Sequence, residues 1–399
     1  MKSSHLTGDA APMALVATLA AVTATGPFAM QIFLPALPEI ARDFAVDPAR
    51  AQLVLSVSLL ATAMATLVYG PVADRLGRRP TLLFGLTLFV VGSVLCAVAP
   101  TVETLIAARV VQSCGGAAGM VIARAIARDL YGPIGAALLI SRLTMVMVVA
   151  PMVAPFIGGL VNDAASWRAI FWVVALAGAL VCVLATMRLA ESAPKGSHDP
   201  TLGVFGGFAQ LLGSTRFVLL MLYPAFSSTI FFTFIAGAPY VMVELMNRPA
   251  TEYGLYFMLV AGGFILGNFV ATRISARVGS HDMMLYGMVL GVGGVGLAMV
   301  FYVQGFVTPL YLFVPVMCSQ IGQGMGMPNA QAAVLNVFPL RAGTASALTG
   351  FLQMLAAAGA SQLVGELQNG SAWPMLMIMA CGAVGALTVA IVARTMIRE

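Results

Sequence analysis

Long apolar runs separated by short polar breaks dominate this chain. Twelve of them are long enough to cross the roughly 30 Å hydrocarbon core of a bilayer as helices, which takes about 20 residues each. They lie near residues 13–36, 51–73, 81–99, 103–125, 136–161, 168–188, 215–239, 253–275, 283–303, 309–336, 343–366 and 374–394. The pattern predicts an all-α membrane protein with twelve transmembrane helices.

One long polar stretch divides the runs into two sets of six. Residues 189–214 are rich in charged residues and Gly and contain Pro, a composition that argues against a folded insert. We expect residues 1–188 to form an N-terminal six-helix bundle, 189–214 a cytoplasmic linker and 215–399 a C-terminal six-helix bundle. The two sets show weak sequence similarity, since SWRAIFWV opens the sixth run and AWPMLMIM opens the twelfth.

Composition excludes several classes of protein. The chain is 60% hydrophobic and 9% charged, whereas a soluble domain has about a quarter of its residues charged. The net charge of +5 comes from basic residues scattered at the ends of the runs, so we expect no nucleic-acid partner. The five cysteines form no C-x-x-C and predict neither a metal site nor a disulfide. Without a nucleotide-binding loop or a nucleophile–base set, we expect neither a cofactor nor enzyme activity.

The distribution of Lys and Arg predicts the orientation in the membrane. With both termini in the cytoplasm, fifteen basic residues fall on the cytoplasmic side and only Arg42, Arg50, Arg168 and Arg248 fall outside. Arg109 is left inside a run. Cytoplasmic segments carry an excess of Lys and Arg in multi-pass proteins, so both termini are expected to be cytoplasmic.

The break between the second and third runs is short and charged. It reads GPVADRLGRRP over residues 70–80, and we expect a loop there. A positive-inside anchor would explain its arginines but needs neither an Asp nor fixed glycines. The conspicuous residues of this loop are Gly70, Asp74, Arg75, Gly77, Arg78 and Arg79. The equivalent break in the second half keeps Arg273 and Arg277 but has lost the Asp and the glycine spacing.

Two further runs carry residues that are unusual inside a membrane. Arg109 is followed three residues later by Gln112 on the same helix face. A charge at this depth costs several kcal/mol unless it faces protein or water, so Arg109 is either functional or a brace bonded to backbone carbonyls. The fifth run has the small, bent face VVAPMVAPFIGGLV, over residues 148–161. Its distinctive positions are Pro151, Pro155, Gly158 and Gly159.

These motifs resemble those of the major facilitator superfamily. The charged loop is similar to its loop between spans two and three, Arg109 and Gln112 to its R-x-x-Q-G motif, and the fifth run to its antiporter motif. Ala-Pro in place of Gly-Pro is typical of the bicyclomycin-resistance and chloramphenicol/florfenicol exporter branch. IFLPALPEIARDF (32–44), RAIARDLY (124–131) and MGMPNAQA (325–332) also resemble that branch.

The resemblance implies a mechanism and roles for these residues. It implies two bundles around a central cavity that work by alternating access as a drug:proton antiporter. The charged loop would be a conformational switch in which, while the cytoplasmic side is shut, Arg78 pairs with Asp129 and Asp74 faces the start of the eleventh run near Thr344. Arg109 and Gln112 would take part in proton and substrate coupling. Where the branch commonly carries an Asp in its first span, this chain has Gln31, which cannot carry a proton.

Polar and aromatic residues inside the runs predict the substrate cavity. The tenth run is unusually polar, and its glycines and Pro328 predict a loosened helix lining a cavity. The candidate cavity residues are Gln31, Met145, Tyr223, Phe232, Gln320, Gln323 and Asn329. Packing or lipid contact is the alternative role for each of them.

We therefore expect proton-driven efflux of small amphipathic compounds across a bacterial inner membrane. The expected partners are a small-molecule substrate, protons and the lipid bilayer, with the protein acting as a monomer. Export of one endogenous metabolite, and uncoupled import or uniport, stay open as alternatives. A non-transporting membrane receptor is a more remote alternative, because it needs neither the charged loop nor the bent fifth run.

Overall fold

The computed structural model describes residues 13–192, 210–338 and 342–398, and these form helices and short connections without a strand. We number the span-length helices in chain order. They are α1 (Met13–Asp43), α2 (Pro48–Leu76), α3 (Arg78–Ala97), α4 (Val102–Gly132), α5 (Met145–Ala164), α6 (Trp167–Arg188), α7 (Thr215–Leu245), α8 (Ala250–Val278), α9 (Ser280–Val303), α10 (Pro309–Val337), α11 (Ala342–Glu366) and α12 (Trp373–Arg398).

Three of these helices are not regular throughout. The α-helix of α1 ends at Gln31, and a 3₁₀ turn (Leu34–Ala36) leads into the short helix Leu37–Asp43. The last turn of α7, Val241–Leu245, is π-helical. Helices α4 and α5 form one helical segment that breaks at Gly132, where φ is 66°.

Eleven helices within the described residues are long and apolar enough to cross a membrane. The helix that falls short is α10, which is 29 residues long but carries Gln320, Gln323 and Asn329 among several glycines. These residues lower its mean hydropathy without shortening it. The helix pattern thus confirms the predicted all-α membrane architecture.

Short turns with specific backbone geometry join the helices. Asp47 caps α2 by accepting a hydrogen bond from the Arg50 N–H at 2.7 Å. The expected loop over residues 70–80 is wrong in extent, because α2 continues to Leu76 and α3 begins at Arg78. Gly77 alone makes the turn, with φ 98°, and Gly279 makes the same turn between α8 and α9 with φ 92°. The second half therefore keeps this glycine after all.

Each half packs its six helices in the same way. In the first half, α1 and α2 pack against the α4–α5 segment, and α3 packs against α4 and α6. In the second half, α7 packs against α10, α11 and α12, and α9 packs against α10 and α12. Helix α2 packs against α11, and α5 against α8, to join the halves. Most of the predicted linker lies outside the described residues.

Glycines let α8, α9 and α10 approach closely. A Cβ at Gly263 would lie 2.6 Å from the Met317 carbonyl oxygen, and a Cβ at Gly294 would lie 2.6 Å from the Ser319 nitrogen. In α10 itself, Gly322 packs against Gly287 of α9 and Gly324 against Phe264 of α8. The predicted loosening of α10 is therefore wrong, since the helix is continuous and its glycines serve tight packing.

Candidate functional site

Two adjoining lobes form a central cavity between the halves, with volumes of about 190 and 250 Å³. Both are lined by Gln31, Met147, Pro151, Phe232 and Met354. The smaller, which we call the Arg lobe, also reaches Arg109 and Gln112 of α4. The larger, which we call the Gln lobe, also reaches Gln320 and Gln323 of α10. Four predicted cavity residues, Gln31, Phe232, Gln320 and Gln323, thus lie where the sequence placed them.

Arg109 is buried at the wall of the Arg lobe, with 1% of its surface exposed. Its Nη1 donates to the Gln112 Oε1 at 2.5 Å and to the Ala29 carbonyl at 3.3 Å. Gln112 in turn donates to the Ser93 hydroxyl at 2.8 Å, and the guanidinium lies 4.2 Å from the centre of the Phe33 ring. The side chain thereby ties α1, α3 and α4 together.

The same arginine keeps a free donor. Its Nη2 is buried and has no hydrogen-bond partner among the described residues. A buried donor without a partner is costly, so this nitrogen favours a ligand that offers an acceptor. Arg109 can therefore brace the helices and face a ligand at once.

Three of the predicted cavity residues do not line either lobe. Met145 has 68% of its surface exposed, and Met147, two positions further along α5, lines both lobes instead. The hydroxyl of Tyr223 donates to the Met284 carbonyl at 3.1 Å, which ties α7 to α9. Asn329 donates to the Ser275 hydroxyl at 3.0 Å, which ties α10 to α8.

The small residues of α5 place this helix between α1 and α8. Pro151 lines both lobes. Gly158 packs against the Ile32 backbone of α1, and a Cβ at Gly159 would lie 2.6 Å from the Ala250 carbonyl oxygen of α8. The backbone of Pro155 and the next residue packs against Gly254, also in α8. Pro155 and Gly159 therefore belong to a contact surface between the halves, whereas Gly158 packs within the first half.

Ionised side chains cluster at one end of the first half. The Arg78 Nε lies 2.9 Å from the Asp129 Oδ2, and its Nη1 lies 2.5 Å from the Asp74 Oδ1. The Asp74 side chain is 57% exposed, and it pairs within its own half rather than with α11. We call Asp74, Arg78 and Asp129 the basic-end cluster, because Arg75 and Arg79 lie at the same end.

The other residues of the predicted switch make fewer contacts with the rest of the protein. Arg79 donates to the Thr186 carbonyl at 2.9 Å, and the Arg75 side chain is exposed. A Cβ at Gly70 would meet no atom of the described residues within 4 Å, so no neighbouring helix packs closely on this glycine.

Sequence reasoning missed Glu191 in this region, because it follows α6 inside the predicted linker. Its carboxylate accepts from the backbone N–H groups of Arg78 and Arg79 at 2.9 and 3.2 Å. An anion at these N–H groups stabilises the start of α3. The sequence signal for this role was an acidic residue directly after the end of α6, three residues past Arg188.

Polar contacts that the sequence did not reveal join the halves at the opposite end. Helices α2 and α11 meet through Gln52 and Ser361 at 2.8 Å and through Ser56 and Gln362 at 2.9 Å. Asp163 of α5 accepts from the N–H and hydroxyl of Thr251 in α8, at 2.9 and 2.6 Å. Arg42 lies 3.6 Å from Glu244. We call this the acidic end. In α2, the spacing of Gln52 and Ser56 by one helical turn was the only sequence signal.

Comparison with known proteins assigns the family. The family model for the Major Facilitator Superfamily matches residues 19–361. The chain is 31% identical over 377 residues to the uncharacterized MFS-type transporter YdgK of Bacillus subtilis, covering 93% of each chain. It is 29% identical to the bicyclomycin resistance protein homolog of Haemophilus influenzae, covering 93% of this chain and 94% of that one. It is 30% identical to the multidrug resistance protein MdtL of Escherichia coli, covering 92% of both.

Solved structures agree on the fold. An inward-facing, unoccupied bacterial homolog of the human lysosomal transporter Spinster superposes with a TM-score of 0.74 at 18% identity, covering 96% of this chain and 95% of that one. The nucleoside transporter NupG gives 0.78 at 13% identity, covering 96% and 98%. The chain belongs to the Major Facilitator Superfamily and is a multi-pass membrane transporter rather than an enzyme.

Proposed function

We propose that this transporter exports small amphipathic compounds across the bacterial inner membrane by alternating access, driven by proton influx, and that it acts as a monomer. The observation that carries the proposal is the central cavity. Both halves line it, and the contacts between α2 and α11 and between α5 and α8 close the acidic end above it. Such a cavity can load a compound from one side only.

The cavity walls suit apolar compounds with a few polar groups. Met147, Met354 and Phe232 line both lobes, and methionine side chains adapt to ligands of different shape. The relatives whose names refer to multidrug or bicyclomycin resistance support the same class of substrate.

Orientation follows from the charges. The basic end carries most of the arginines, so we place it in the cytoplasm together with both termini. The contacts at the acidic end then close the outer side. In a cysteine-free background, an impermeant thiol reagent added to intact cells should label Asn369→Cys at the exposed α11–α12 turn. It should not label Ser197→Cys, and the reverse pattern would overturn the orientation.

Proton coupling must use groups outside the lobes. None of the described residues that line them is Asp or Glu. Asp129 in the basic-end cluster and Glu39, whose carboxylate accepts from Asn162 at 2.6 Å, are half-buried candidates, one at each end of the first half. Either could exchange a proton as its end of the protein opens and closes.

A growth-inhibition panel tests the proposed function. Cells that overproduce the protein should survive higher concentrations of some apolar antibiotics, and cells that overproduce Arg109→Ala to the same level should not. Selective protection against one compound that cells make themselves would favour the metabolite exporter. Absence of protection against every compound, with the protein present in the membrane, would contradict drug export.

A further inference from the structure

The Gln lobe contains a side-chain amide with neither of its atoms satisfied. Gln320 has 1% of its surface exposed, and neither its Oε1 nor its Nε2 has a hydrogen-bond partner among the described residues. Because both atoms are unpartnered, the conclusion does not depend on which is nitrogen and which is oxygen. A buried amide of this kind is costly to the protein alone.

The neighbouring glutamine of α10 does not share this property, and of Gln31, which lines the same lobe, only the Oε1 is buried without a partner among the described residues. Gln323 lies one turn further along α10 and lines the same lobe, but its Nε2 donates to the Ser227 carbonyl of α7. The amide of Gln323 thus donates a hydrogen bond within the protein, whereas the amide of Gln320 is available for hydrogen bonds to a ligand.

The helix that carries Gln320 is fixed in place on its other sides. Ser319 packs against Gly294 of α9, and Ile321 packs against Gly267 of α8. Gln320 therefore presents its amide from a rigid backbone rather than from a loop, which favours a specific hydrogen-bonding geometry.

Aromatic rings form part of the apolar wall of the lobe. Phe231 lies 5.4 Å from Phe232 and 6.2 Å from Phe257, measured between ring centres, and all three line the lobe. A flat apolar ligand can pack against such rings while one edge reaches Gln320.

We propose that the Gln lobe recognises compounds with an N–H and a C=O side by side on one edge, as in lactams and cyclic imides. A primary amide pairs with such an edge through two parallel hydrogen bonds, in the way a glutamine reads the donor–acceptor edge of adenine. An open-chain trans amide points its N–H and C=O in opposite directions and meets only one atom of Gln320. The proposal rests on the proposed function and names the substrate class of its cavity.

Equilibrium binding to the purified full-length protein tests this without transport. The probes are 6-fluoro-2-quinolone and its N-methyl derivative, titrated by ¹⁹F NMR. The two share ring and carbonyl, and only the first can donate to Gln320. The wild type should bind the first roughly tenfold more tightly, as expected for one well-formed buried hydrogen bond.

Two variants localise the effect. Gln320→Leu should bring the ratio of the two affinities close to one, while binding of the N-methyl probe persists and shows that the protein is folded. Gln304→Leu makes the same change at an exposed position after α9 and should keep the wild-type ratio. Equal affinities in the wild type, or a preference that survives in Gln320→Leu, would overturn the proposal.

Thermal unfolding separates recognition from a structural role. Gln320→Leu should melt no lower than the wild type, because it removes two unsatisfied buried atoms. A clear drop in melting temperature together with lost binding of both probes would make Gln320 a structural residue and refute its role in recognition. A preserved preference in a protein that fails to export would refute the proposed function and leave this site intact.

Discussion

Two residues, one charged and one neutral, determine the electrostatic character of the central cavity. Arg109 places a guanidinium at the wall of the Arg lobe, and Gln31 places a neutral amide where both lobes meet. Electrostatic interactions are strong in a cavity of low dielectric constant, so each single charge there has a large effect on the ligands that bind.

Arg109→Ala should reduce transport at least about tenfold, because it removes a buried cation that donates to the Ala29 carbonyl of α1 and to Gln112, which in turn donates to Ser93 of α3. Arg109→Lys should restore little, since an ammonium cannot replace the planar guanidinium fork. Arg50→Ala is a suitable control, because Arg50 makes only an exposed ion pair with Glu103, and exposed pairs contribute little. Efflux at equal protein levels measures all three, and full activity of Arg109→Ala would reduce this residue to a dispensable brace.

Gln31→Asp should shift substrate preference towards cations. A carboxylate at this position would attract a cationic ligand and disfavour an anionic one, whereas the wild-type amide does neither strongly. The comparison is efflux of a matched cationic and neutral pair, with Gln31→Asn as a control that changes shape but not charge. A wild type that already prefers the cation, together with an unchanged preference in Gln31→Asp, would contradict this role for Gln31.

At the scale of elements, α5 and the turn between α2 and α3 have different tasks. Helix α5 presents Gly158 to α1 and Gly159 to α8, so it holds the acidic end together in this state. The basic-end cluster stays within the first half and leaves Asp74 more than half exposed. An exposed acid at the end of α2 is free to contact the second half when the basic end closes, as proposed for alternating access.

A charge exchange tests the pair in this cluster. Arg78→Asp and Asp129→Arg should each impair transport, and the double variant should recover more activity than the two single effects predict. The same exchange between Arg50 and Glu103 is the control and should change little, because that pair is exposed. Additive effects at positions 78 and 129 would show that their 2.9 Å contact is not used in transport.

The sequence predicted elements better than contacts. Apolar runs, the Arg109–Gln112 spacing and the Arg78–Asp129 pair were recognisable because they depend on local pattern or on a known motif. The side of α5 that faces the cavity was not, because Met145 and Met147 lie in the same apolar run and only Met147 lines the lobes. The neighbouring helices determine which side of a helix faces the cavity. A helix that is apolar on every side carries no sequence signal of that orientation.

For the whole molecule, the polar contacts between the halves could not be predicted from the sequence. Gln52 and Ser361 are 309 residues apart, and only the packing of α2 on α11 brings them to 2.8 Å. The two halves nevertheless share their design, because Gly77 and Gly279 make the same turn with φ of 98° and 92°. A transporter of two similar halves that closes at one end can expose its cavity at the other by rocking them apart.

Proton-driven uptake into inside-out membrane vesicles tests the central claim most directly. Vesicles from cells that overproduce the protein are acidified by respiration, and a compound against which the protein protects growing cells is added outside. We predict that the compound accumulates, that collapsing the pH gradient with nigericin abolishes the accumulation, and that vesicles with Arg109→Ala show neither. Accumulation that is equal with and without the pH gradient would contradict proton-driven export, and so would equal accumulation by the wild type and Arg109→Ala.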